Sequence, residues 1–193
     1  MAEHSHAHPG DDHSGPAHLM GEGRTLAQPN ARWLGDRGEA DPLVRGMLAR
    51  AAAGDPDPQT AYLRAVAGLG GARLLMPIVA TGDESMDGPD PDRHAEMAAV
   101  SVRNEAGEQA LLAFTGLDAL QAWRADARPV PGTLDEVAST VGEAGCQVVL
   151  VDIAGPVPFV IGDDLVSELA QGRRLVELED GGFGWMYVEG DED

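Results

Sequence analysis

The sequence predicts an α+β fold: a mixed, largely antiparallel sheet of about five strands backed by helices. Three observations predict it. Apolar, β-branched runs such as residues 74–80 and 146–153 have the length of strands. Stripes at helical spacing, clearest between Leu134 and Ala144, alternate with them along the chain. Short polar turns, such as Asn104-Glu105-Ala106-Gly107, separate neighbouring runs in the manner of hairpins.

The 193 residues fit one domain with tails. Residues 1–40 read as a disordered, His-rich tail: polar and Gly-rich, with five of the six His in the first 18 positions and no apolar run of the kind a secretory leader carries. Residues 41–176 read as the folded domain, and 177–193 as an acidic C-terminal strand or tail. Two short helices open the domain, each begun by an Asp-Pro pair, Asp41-Pro42 and Asp57-Pro58. The carboxylate accepts from a free amide, and proline costs no hydrogen bond in a first turn. Leu43, Met47, Leu48 and Ala51 form the predicted inner stripe of the first; Tyr62, Ala65, Val66 and Leu69 form that of the second.

A strand over 74–80 follows, then an acidic loop over 81–95, then a hairpin of 98–103 with 110–114. Thr115 is placed to cap a helix that stacks Leu117, Leu120 and Trp123, and the Pro-rich stretch 128–131 reads as a linker. Thr133 and Glu136 have capping-box spacing ahead of the stripe Leu134, Val137, Ala138, Val141 and Ala144, which stops at Gly145. Residues 146–153 read as a central strand, turned at Gly155-Pro156 so that 158–161 returns antiparallel. Asp163 or Asp164 caps a last helix that turns Leu165, Val166, Leu169 and Ala170 inward and stops at Gly172.

Composition excludes several chemistries. With 13 basic and 33 acidic residues the net charge is −20, which repels phosphate backbones and anionic lipid, so neither nucleic acid nor a membrane is an expected partner. Every basic residue is Arg, so chemistry that needs a lysine amine has no residue to perform it. No Gly-x-Ser-x-Gly elbow and no His-Glu-x-x-His pair occurs. The lone cysteine, Cys146, cannot form an intrachain disulfide, suits a reducing cytoplasmic setting, and reads as a buried structural thiol.

Four segments, taken in order, resemble the SseB N-terminal-domain family, named after the enhanced serine sensitivity protein. They are RLLMPIVA at 73–80, FTGLDALQAW at 114–123 with RPVP at 128–131, GPVPFVI at 155–161, and LAQGRRLV at 169–176. The resemblance implies a small cytoplasmic α/β module, occurring alone or in tandem, with no assigned chemistry and no catalytic residues to carry over. The His-rich start and acidic end depart from the family pattern and inherit nothing from it.

Three groups remain as candidate sites. His4, His6, His8, His13 and His18, with Asp11 and Asp12, can fold around a Zn, Ni or Cu ion, although nothing in the sequence preorganises them, and no cofactor is expected. The acidic loop lacks the spacing of a calcium loop, and His94 at its end reads as a surface residue rather than a general base. Phe183, Trp185 and Tyr187 alternate, so a strand there puts all three on one face. They are three of only eight aromatics, and such clusters suit a protein interface. The resulting expectation is a non-enzymatic interaction module with an unidentified protein partner. Its alternative, resting on the family name, is a small-molecule sensor or enzyme linked to amino-acid (serine) metabolism.

Overall fold

The computed structural model describes residues 31–80 and 97–187. Residues Ala31–Trp33 form one 3-10 turn. From there on the order is α1 (Pro42–Ala53), α2 (Pro58–Gly70), β1 (Leu74–Ala80), β2 (Met97–Ala99), β3 (Ser101–Arg103), β4 (Gln109–Ala113), α3 (Leu117–Trp123), β5 (Arg128–Gly132), α4 (Leu134–Glu143), β6 (Val148–Val151), β7 (Phe159–Ile161), α5 (Asp163–Leu169), β8 (Arg173–Glu177) and β9 (Phe183–Tyr187). The class is α+β, as the sequence predicts. The strands, however, form three small sheets, ordered β2-β1-β5, β3-β4-β6-β7 and β8-β9, in place of one sheet of about five strands.

The local signals explain most helix ends. Asp41 accepts from the Leu43 amide at 2.8 Å, and Asp57 from that of Thr60 at 3.0 Å, so both Asp-Pro starts cap as predicted. At α4 the capping box closes in both directions, the Thr133 amide donating to Glu136 and the Glu136 amide to the Thr133 hydroxyl. Two predicted caps differ. Gly116 and Gly162, without side-chain bonds, occupy the cap positions of α3 and α5; Asp163 and Asp164 sit in the first turn instead. In α1 Leu48 is buried and Met47 and Ala51 pack against the core as predicted, but Val44 is buried in place of Leu43, which stands in solvent.

Two sequence readings change for reasons of pairing. The run predicted as one strand over 98–103 is split at Val100: β2 pairs with β1 and β3 with β4, so a single stretch of chain serves both sheets. Residues Arg128–Gly132, read as a linker, form β5 antiparallel to β1. Its prolines fit because of register. The Leu75 amide points away from β5, donating to the Phe114 carbonyl at 2.8 Å, so Leu75↔Pro131 and Pro77↔Pro129 are the non-hydrogen-bonded pairs. The nitrogens of Pro129 and Pro131 face the outer edge, where the missing donors cost the ladder nothing.

The β3-β4-β6-β7 sheet separates two cores. Leu111, Ala113, Val149, Val151 and Ile161 face α2, α4 and α5 in the principal core. The opposite face meets α3 in a smaller one, where Leu75, Leu112, Phe114 and Leu120 are buried and the Phe114 and Trp123 rings lie 5.7 Å apart. Trp123 is therefore a core residue, as its spacing predicts. β4 and β6 are the one parallel pair among the described strands, in register Ala110↔Val148 to Ala113↔Val151. Their carboxyl ends therefore open side by side, which in sheets of this kind is the usual place for a functional group.

Candidate functional site

Those two carboxyl ends are closed by the protein's own side chains. At the end of β6, Asp152 turns the chain with φ +53°, the only positive φ outside glycine among the described residues, and its amide donates to the Ala113 carbonyl at 2.9 Å. Its side chain is 1% exposed. The carboxylate accepts from the Thr115 amide at 2.8 Å and from the Thr115 hydroxyl at 2.6 Å. From α1, the Arg45 Nε–H donates to that same hydroxyl oxygen at 3.2 Å while both terminal nitrogens bind Asp118 at 2.7 and 2.6 Å. Arg73 donates to the Thr115 carbonyl at 3.1 Å and to the Glu39 carbonyl at 2.6 Å. Every polar atom of Thr115 is thus engaged, and the residue predicted as a helix cap instead ties α1, the start of β1 and the end of β6 together.

Glycine permits the close approaches that this clamp requires. A Cβ on Gly155 would stand 2.7 Å from the Cβ of Asp152, and one on Gly116 would stand 2.8 to 2.9 Å from Ala40. The electrostatics follow from geometry. Burial pushes the Asp152 carboxyl above the usual aspartate range against the opposing pull of Thr115 and Arg45. The Arg45 hydrogen bonds hold the exposed Asp118 carboxyl below it, and the same contact raises Arg45. With its oxygens committed and its surface excluded from water, Asp152 acts as a fastening, not as an accessible base.

The C-terminal aromatics lie on a different kind of structure. β8 and β9 form a two-stranded sheet in register Arg173↔Tyr187, Leu175↔Trp185 and Glu177↔Phe183, which places Phe183, Trp185 and Tyr187 on one face as alternation requires. Three arginines anchor the hairpin: Arg64 of α2 to Glu177, Arg173 to Glu168 of α5, and Arg174 to Asp135 of α4 at 3.2 Å. Leu175 is buried and Phe183 packs against the principal core. Beyond them the surface is apolar and open. Trp185, Met186 and Tyr187 are 36%, 54% and 73% exposed, Leu178 in the turn is exposed as well, and the Arg173 guanidinium sits 5.2 Å from the Tyr187 ring centre. Among the described residues, β9 has a neighbour on one edge only.

The remaining candidates separate cleanly. Cys146 is buried beside the Ala144 carbonyl, 3.6 Å away, and burial pushes its thiol pKa up, so it is a poor nucleophile. His4, His6, His8, His13, His18, the acidic loop and His94 lie outside the described residues. The sequence singles out Thr115 only as a helix cap and Arg45, Asp118 and Asp152 not at all; the one local hint is an aspartate closing the run Val148–Val151.

A family model, the SseB protein N-terminal domain, matches residues 44–168. No curated protein and no solved structure matches the chain. The matched span holds all four members of the Asp152 clamp and ends before β8, so the aromatic hairpin lies beyond it.

Proposed function

The chain belongs to the SseB N-terminal-domain family, and from that premise we propose that it is a non-enzymatic, cytoplasmic protein-interaction module that takes hold of its partner with the β8–β9 hairpin. One observation carries the reading. Of the seven large hydrophobic side chains exposed among the described residues, four (Leu178, Trp185, Met186 and Tyr187) belong to this hairpin. Aromatic side chains that share one face in this way are what protein interfaces are enriched in, and an edge strand with free backbone groups can accept a further strand. A partner strand laid along β9 would gain backbone hydrogen bonds and the Trp185 and Tyr187 rings as anchors.

The test is a photo-crosslinking amino acid at position 187 of the full chain, used in native-cell lysate beside the Trp185→Ser/Tyr187→Ser chain. A discrete crosslinked protein that the double variant no longer captures, at unchanged melting temperature, supports the reading. Capture that ignores the double substitution overturns it.

A second reading, a sensor of amino-acid-related small molecules, draws on a groove of about 450 Å³ between α1 and α2, walled by Pro42, Leu43, Met47 and Ala61 with Arg50 and Arg64 at its rim. That is the size of small-molecule sites. A thermal shift with any member of an amino-acid panel, lost in Arg50→Ala, favours it.

A further inference from the structure

Among the described residues, helices cover most of one side of the β3-β4-β6-β7 sheet, β3 excepted, and about half of the other. On that second side α3, seven residues long, roofs Leu112 and the carboxyl ends of β4 and β6. Among the described residues the other half of that face is apolar and open: Val102, Ala110, Val148, Leu150 and Val160 line a groove of about 560 Å³, and Val160 at its margin is 50% exposed. Register puts these side chains on one surface, through the pairs Val102↔Ala110, Ala110↔Val148 and Leu150↔Val160. This groove is separate from the hairpin in sequence and in sheet.

Charge identifies what fits it. Among the described residues, the groove's only charged lining groups are Glu108 and Asp163. Glu108 binds the side-chain amide of Asn104, and Asp163 the amide of Asp164, so neither carboxylate has a cationic partner among the described residues. Elsewhere arginines neutralise Asp118, Asp135, Glu168 and Glu177. A second copy of the chain would bring the same two carboxylates and a net charge of −20 to the contact, which opposes self-association here. A cationic partner is drawn in by the same field.

Shape identifies the element. A helix already lies on this face, and a second one beside it, at the usual helix spacing of about 8–10 Å, would complete the layer. Glu108 precedes β4 and Asp163 follows β7, both at the end of the sheet opposite the Asp152 clamp. β4 and β7 are two steps apart, roughly 10 Å at about 4.8 Å per strand. That matches two turns of helix, about 10.5 Å between positions i and i+7. We propose that the open half of this sheet face docks a basic amphipathic helix of a partner protein, whose apolar stripe covers Val148, Leu150 and Val160 and whose cations, two turns apart, meet Glu108 and Asp163.

The test titrates the full, isotope-labelled chain with a synthetic amphipathic Leu/Lys helix about 18 residues long, at about 150 mM salt, where exposed charges are screened beyond about 8 Å. A scrambled Leu/Lys peptide of equal charge is the control. Amide shifts confined to β3, β4, β6 and β7, absent with the scrambled peptide, support the proposal. So does an affinity loss of about tenfold or more in Val160→Asp, the loss expected when an apolar anchor is replaced by a charge, with no loss in Trp185→Ser/Tyr187→Ser. Shifts that map to the hairpin, equal binding of the scrambled peptide, or a dimer that Val160→Asp dissociates would overturn it. Because the shift map is read on the wild-type chain, it decides the question even if Val160→Asp fails to fold.

Discussion

The carboxyl ends of β4 and β6 and the β8–β9 hairpin distribute their chemistry in opposite ways. At the first, an aspartate is buried, and each polar atom of the threonine it binds is engaged. At the second, a tryptophan, a methionine and a tyrosine stand in solvent at the edge of a two-stranded sheet. Burying a polar group is tolerable only when hydrogen bonds replace the lost water, and here they do. Exposing apolar surface gains nothing for the folded chain by itself. The buried cluster is explained by the fold it fastens, whereas the exposed one stands uncovered among the described residues. The family match includes the first and stops short of the second.

The largest test of this contrast is Asp152→Ala, which leaves the Thr115 amide and hydroxyl buried without their acceptor and should cost about 3 kcal/mol, read as a lower urea midpoint at unchanged slope. A cost below about 1 kcal/mol would mean that the clamp is not fastening anything. Next comes a division within the hairpin. Phe183 packs against the principal core, so Phe183→Ser should cost about 2 kcal/mol, while Tyr187→Ser should stay within about 1 kcal/mol, since a ring that is 73% exposed buries little apolar area on folding. Equal melting temperatures for both variants would erase the distinction between a packed and a presented aromatic.

Smaller again is Asp118→Asn. Its bidentate contact with Arg45 is solvent-exposed on the carboxylate side, so the loss should be about 0.5 kcal/mol and should shrink with added salt. The smallest effect lies in pH dependence. Burial raises the folded pKa of Asp152, so the native chain keeps this proton at pH values where the unfolded chain has released it. Its contribution to stability therefore falls as pH rises from about 3.9 through the raised folded value. The stability of wild type minus that of Asp152→Asn should decline across that window. For Asp118, with a lowered folded pKa, the sign reverses: its contribution is present above the ordinary value and is lost as pH falls through the lowered one. A difference curve for Asp152 that rises with pH would show that Thr115 and Arg45 outweigh burial.

What the sequence made legible was local. The Asp41 and Asp57 caps, the Thr133–Glu136 box, the β3–β4 hairpin and the aromatic alternation all depend on residues within a few positions of one another. What it concealed was remote. Arg45 meets Asp118 across 73 positions and Thr115 meets Asp152 across 37, and no periodicity announces such pairs. Thr115 carried a true capping signal, but a tertiary acceptor took its hydroxyl. Likewise Val100 divides one apolar run between two sheets, and the β5 prolines read as a break because propensity is blind to which edge a nitrogen faces.

Those prolines also decide what the outer margin of β5 offers to another chain. Along the outer side of β5 the positions whose amides would point outward are Pro129 and Pro131, so that margin offers no donor to an incoming strand and cannot template aggregation. β9, Phe-Gly-Trp-Met-Tyr, has no proline and keeps its full set of amides. A foreign strand is therefore refused at the outer margin of β5 and finds donors along the free margin of β9, two edges that belong to different sheets.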